Sequence, residues 1–141
     1  MHDFKRWPEL TNNQMNLYYF DSPHKQITDD FNATVVKVTD GDTIRVKWSE
    51  RNFTFPVRFI NTDAPELDEQ GGLESQVWLK NRILGKEVLI EINPFNRVEK
   101  WGRLLGYVIS DGFDVGEESI INGHSIPFGD FAEGGIDDTE L

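Results

Sequence analysis

The 141-residue sequence contains no cysteine. Disulfide staples, cysteine nucleophiles and thiolate-bound zinc are therefore excluded. It also has no long hydrophobic run, and no stretch approaches the roughly 20 apolar residues that a membrane-spanning helix needs. The first residues, MHDFKRWPEL, carry basic side chains with no apolar segment behind them, unlike a secretory signal, so a cytoplasmic protein is the expectation. Positive charge is missing from one region altogether. From Ile109 to Leu141 there are nine acidic residues and no lysine or arginine, whereas residues 1–108 hold 16 acids and 14 bases. The formal net charge of −11 thus belongs mainly to the C-terminal quarter and does not exclude a phosphate-bearing substrate. Histidine is scarce too: His2, His24 and His124 are scattered, without metal-ligand spacing, and suit surface or capping roles.

What is present suits one folded domain. Seventeen aromatic residues and a 38% hydrophobic content can fill a core at this chain length. Residues 1–31 form an aromatic-rich lead-in, in which Thr11 followed by Gln14 has capping-box spacing and predicts a short helix over about 12–20. ATVVKVT and TIRVKW read as strands joined by the turn DGDT, and FTFPVRFINT as a third strand in which Pro56 marks an edge or a bulge. A helix is expected over 73–84, with Leu73, Val77, Ile83 and Leu84 on its apolar stripe and Gly85 ending it. Trp78 falls off that stripe and would meet the N-terminal segment, a partner or solvent. KEVLIEI and RLLGYVIS supply two more strands, and VGEESIING a further helix.

Three strands, a helix, two strands and a helix suit an α+β fold, a five-stranded barrel of the oligonucleotide/oligosaccharide-binding (OB-fold) type with two or three helices. The chain divides into an N-terminal extension (1–31), a barrel domain (32–128) and an acidic flexible tail (129–141).

The stretch RFINTDAPE sets an arginine inside an apolar strand and follows it with Asp63 and Glu66. Charged groups are seldom buried without a partner. DGDT alone is ordinary turn chemistry, TDAPE an ordinary loop and EKWGR an ordinary basic patch. Together they bring Asp42, Asp63, Glu66 and Arg103 to strand ends of one small barrel, with Arg58 on the third strand. Carboxylate and carbonyl oxygens suit Ca²⁺ or Mg²⁺. Two arginines beside a hard cation could clamp a phosphoryl group, and Glu66 could take a proton from an attacking water.

Over residues 32–126 the stretches VVKVTDGDTIRV, PVRFINTDAPE, LESQVWLKNRILGKEVLIEI, EKWGRLLGYVISDG and VGEESIINGHS resemble the staphylococcal nuclease (thermonuclease) family. The resemblance implies an OB-fold endonuclease acting on DNA and/or RNA with calcium, or another divalent ion, and leaving 3′-phosphates. It further implies Asp42, Asp63 and the backbone carbonyl of Ala64 as metal ligands, with Asp40 in support. Glu66 would activate water, while Arg58 and Arg103 would stabilise a phosphorane-like transition state. Lys100 would contact phosphate, and Trp101, where the family has a tyrosine, would stack on a base.

The loop LDEQGGLE is shorter and more acidic than the family's. A catalytically silent module that binds nucleic acid or protein is the alternative, and an acidic decoy a third reading. The extension and the tail are the candidate surfaces for a protein partner. A monomer without membrane contact is expected.

Overall fold

A computed structural model describes residues 2–100 and 102–128; Trp101 and the acidic tail over 129–141 lie outside the described residues. The barrel begins with β1 (Phe31–Asp40), which turns through Gly41 and Asp42 into β2 (Thr43–Lys47) and then β3 (Thr54–Phe59). A two-residue strand, β4 (Thr62–Asp63), precedes helix α2 (Gly72–Ile83), β5 (Glu87–Glu91) and β6 (Leu104–Ser110). The chain continues through β7 (Phe113–Asp114), α3 (Val115–Ile121) and β8 (Ile126–Pro127). Helix α1 (Asn12–Tyr18) lies upstream, and its expected capping box forms: the Thr11 side chain accepts from the Gln14 amide and Gln14 returns the bond.

The sheet order β3-β2-β1-β5-β6 closes on itself because β3 also pairs with β6, in parallel, through Val57↔Leu104, Arg58↔Leu105 and Phe59↔Gly106. The result is a closed five-stranded mixed barrel with three helices, an α+β fold of OB type. Pro56 faces Arg45 on β2 and lies just before the β3–β6 contact begins, so its missing N–H costs that ladder nothing. The strict alternation of β1 breaks at Lys37, where the register against β2 has slipped, so that Val36 and Lys37 both face outward before Val38 returns to the core. Ile44, Val46, Phe55, Val57, Phe59, Ile90 and Leu104 fill the barrel's interior.

Helix α2 corrects the expected stripe. Leu73, Val77 and Leu84 are exposed, at 60%, 44% and 45%, and only Ile83 of the four is buried. The buried face is Gly72, Ser75, Leu79 and Ile83. A small residue is required there because the helix start lies almost against the β1–β2 turn. A Cβ on Gly41 would sit 1.9 Å from Ser75 Oγ and 2.6 Å from the Ala64 Cβ. Trp78 is half-buried against the core and stacks on His124, with ring centroids 5.4 Å apart.

The lead-in packs onto the barrel with a polar rivet at its centre. Leu10, Gln26 and Ile27 are buried, as are Glu9, Arg51 and Arg97. Glu9 pairs with Arg51 on one oxygen, and with Arg97 at 3.2 Å on the other. His2 and His24 cap backbone carbonyls, those of Trp7 and Pro8. Among the described residues no helix is long and apolar enough to cross a membrane.

Candidate active site

The β1–β2 turn builds one half of the site. Asp42 is 6% exposed, and its backbone is pinned from both sides: its carbonyl accepts from the Phe59 amide at 2.8 Å and its N–H donates to Asp40 Oδ1 at 3.2 Å. Its carboxylate accepts from the Ala64 amide at 2.8 Å and from Thr43 Oγ1 at 3.1 Å. The turn and the loop after β4 are therefore stitched together at the carboxylate itself.

Arg58 enters from β3 and is 7% exposed. One guanidinium nitrogen donates to the carbonyls of Phe59 at 2.8 Å and Thr62 at 2.6 Å. The other lies 3.3 Å from Asp42 Oδ2 and 3.5 Å from Asp63 Oδ1. The arginine inside the apolar strand is thus held between the two aspartates expected beside it. Strand β8 pairs with β4 and brings Phe128 over the guanidinium, 4.7 Å from carbon to ring centroid. Arg103 arrives from the foot of β6. Its Nη1 reaches Thr43 Oγ1 at 3.4 Å, while Nε and Nη2 form a two-pronged pair with Glu99. That pairing, above all its hydrogen bonds, raises the Arg103 pKa further.

Glu66 is exposed on the loop after Ala64, where its backbone amide donates to Glu69 Oε1 at 2.7 Å. It lines an open cavity of about 650 Å³ with Asp63, Ala64, Gln70, His124 and Ser125. Lys100 is exposed at the tip of the hairpin that carries Arg103. The structure accordingly gathers Asp40, Asp42, Arg58, Asp63 and Ala64 into one cluster, reaches Arg103 through Thr43, and sets Glu66 on the adjoining rim. Trp101 is outside the described residues. Three participants were not expected from sequence: Thr43, which links Asp42 to Arg103; Glu99, which occupies the Arg103 fork; and Phe128. Only Glu99 left a trace, an acid four residues before the arginine.

Crowding shows in the electrostatics. Burial, opposed by Arg58 and reinforced by Asp40, pushes the Asp42 carboxyl up to about 6. Burial raises Asp63 as well, with Asp42 adding to the effect. An acid whose folded pKa is raised contributes stability below its unfolded pKa near 4 and loses it as pH rises through about 6. The Asp42→Asn variant therefore gains on the unmodified protein between pH 4 and 6 when both are unfolded by urea in EDTA. A stability difference that stays constant across that window would refute the assignment.

A hard cation would relieve the same crowding, and the donor chemistry fits one. Two carboxylates and backbone carbonyls are oxygen ligands, and water completes most such shells. Among the described residues no three acidic or histidine side chains converge tightly enough to form a ready-made cage. The fit is to an open site with few protein ligands.

No protein-family model matches the chain. It is 37% identical over 89 residues to an Escherichia coli protein described as an uncharacterized endonuclease, covering 62% of this chain and 55% of that one. It is also 31% identical over 98 residues to Endonuclease YncB of Bacillus subtilis, covering 65% of this chain and 46% of the relative. Endonuclease YhcR of the same organism is 32% identical over 109 residues, 68% of this chain but 9% of that protein. The chain spans about half the length, or less, of the curated relatives it matches.

Proposed function

We propose that the chain is a metal-dependent endonuclease, of thermonuclease type, that hydrolyses phosphodiester bonds of DNA or RNA. One observation carries the reading: a buried arginine clasped by two aspartates, with a second arginine one hydroxyl away and a glutamate on the rim of the adjoining cavity. Similarity to proteins named as endonucleases supports it.

Asp42 and Asp63, with the Ala64 carbonyl and support from Asp40, would hold the cation, calcium in the first instance. Bound there, it would supply a fixed positive charge beside the phosphate. Arg58 would bind a non-bridging phosphate oxygen, and Arg103 would face the leaving 5′ oxygen. Both guanidiniums gain interaction energy as negative charge builds on the five-coordinate phosphorus. Glu66 would accept a proton from water as the water oxygen bonds to phosphorus. The bond from phosphorus to the 5′ oxygen then breaks, the leaving alkoxide takes a proton from solvent, and a 3′-phosphate remains. Lys100 would contact a phosphate of the substrate, and Trp101 would stack on a base.

The test is cleavage of labelled single-stranded DNA and RNA by purified protein, titrated with Ca²⁺ and with Mg²⁺ against EDTA. Cleavage that requires one ion and stops in EDTA is the expected result. Cleavage unaffected by EDTA would remove the metal from the proposal. No cleavage by a folded protein that still binds DNA would favour a silent binding module. The hold of Glu99 on Arg103 is the observation that favours that second reading, since an acid fills the fork a phosphate would need.

A further inference from the structure

We propose that the N-terminal segment positions the hairpin that carries Arg103, with Trp7 as its contact at the tip and Glu9 as its contact at the base. The inference rests on the nuclease reading above, in which Arg103 meets the scissile phosphate. The hairpin is narrow and self-contained: Leu105 N–H donates to the Arg97 carbonyl at 2.8 Å, Glu99 N–H to the Arg103 carbonyl at 3.0 Å, and Gly102 N–H to the Glu99 carbonyl at 2.9 Å. The β3–β6 ladder begins at Leu104, so it anchors the base of the hairpin beside Arg103 but does not reach its tip.

The N-terminal segment supplies what the ladder does not. At the base, the Arg97 guanidinium is 4% exposed as a residue and pairs with Glu9. It also donates to the carbonyl of Leu10 at 3.0 Å and to Asn12 Oδ1 at 3.1 Å. Asn12 returns a bond to the Pro94 carbonyl at 3.0 Å, on the strand-side approach to the hairpin. At the tip, Gly102 has φ +86 and lies directly beneath the Trp7 indole; a Cβ there would sit 2.9 Å from Trp7 Cε3. A left-handed glycine pressed against a flat ring fixes the turn immediately before Arg103. The segment thus grips the hairpin at both ends, through charge at one and a ring at the other. Displacing a transition-state donor by about 1 Å can cost up to about a hundredfold in rate.

The experiment is a double-mutant cycle on the full chain. Trp7→Ala is expected to lower kcat roughly tenfold to a hundredfold with KM changed less than about twofold. Trp7→Phe, which keeps a ring over Gly102, should restore most of the loss. In an Arg103→Ala background, measured in single turnover, Trp7→Ala should cost nothing further, because the group it positions is gone. Unchanged kcat in Trp7→Ala overturns the inference while leaving the nuclease standing. So does the same fractional loss in both backgrounds, which would mean general damage. Absence of cleavage by the unmodified protein overturns the nuclease reading and this inference with it. Should Trp7→Ala not fold, Asn12→Ala carries the same cycle from the other end of the hairpin, and additivity there overturns the proposal.

Discussion

Glu66→Gln is expected to leave a fully folded protein whose turnover has dropped by roughly 10²–10⁴-fold. The two halves of that expectation have separate physical grounds. The Glu66 side chain is exposed, and the contact that orders its loop runs through its backbone amide to Glu69. Glutamine keeps the backbone bond, so the melting temperature should move by no more than a degree or two. A surface change away from packing is normally worth under about 0.5 kcal/mol. What glutamine cannot do is accept a proton. If Glu66 takes the proton of the attacking water, kcat should collapse while substrate affinity survives or rises, since one negative charge has left the rim of the site. Full activity in Glu66→Gln would transfer the base to another residue, with Glu69, its neighbour on the same cavity, the first candidate.

Arg58 illustrates how far the site was legible in the sequence. A guanidinium within an apolar strand has to be paired, and its partners are two of the acids the sequence singles out, Asp63 just after the strand and Asp42 in the DGDT turn. The β1–β2 hairpin and the capped first helix were legible for a similar reason. Both depend on residues a few positions apart, and local backbone chemistry decides them. The contacts that escaped depend on chain separation. The parallel β3–β6 pairing joins residues near 58 to residues near 105, and it is this closure that carries Arg103 to Thr43. Phe128 reaches Arg58 because the two-residue strand β8 pairs with β4. No periodicity announces a two-residue strand. Helix α2 departs from the expected stripe because hydrophobicity alone does not choose its buried face. Space chose instead: at Gly41 and Ala64 the helix can approach only on a side chain as small as Ser75.

Glu9→Gln is expected to cost about 3–5 kcal/mol of stability, the range found when one partner of a buried ion pair is removed. Glu9 is the counter-ion of two arginines, and the three side chains are 2%, 0% and 3% exposed at Glu9, Arg51 and Arg97. Burial pulls the Arg97 pKa below its ordinary value and Glu9 pushes it back, so neutralising Glu9 leaves the burial cost unopposed. Arg51 would fare worse. Its Nε and Nη1 already lack a hydrogen-bond partner, and its remaining support is one bond from Nη2 to the Lys25 carbonyl, at 2.9 Å, and the aromatic box of Trp48, Phe53 and Phe55, nearest ring 4.6 Å away. The double variant Glu9→Gln, Arg51→Met, which removes one of the two orphaned cations and leaves Arg97, should therefore recover part of the loss, which a simple count of broken contacts would not predict. Chemical denaturation followed at two probes decides a further point. Glu9 joins the N-terminal segment to the β2–β3 turn and to the Arg103 hairpin at once. Fluorescence and far-ultraviolet dichroism should therefore shift together in Glu9→Gln, as one cooperative transition. If the dichroism midpoint of the barrel stayed in place while the segment alone released, residues 1–31 would be an appendage on a barrel that folds without them. The buried triad would then stabilise their docking and nothing more.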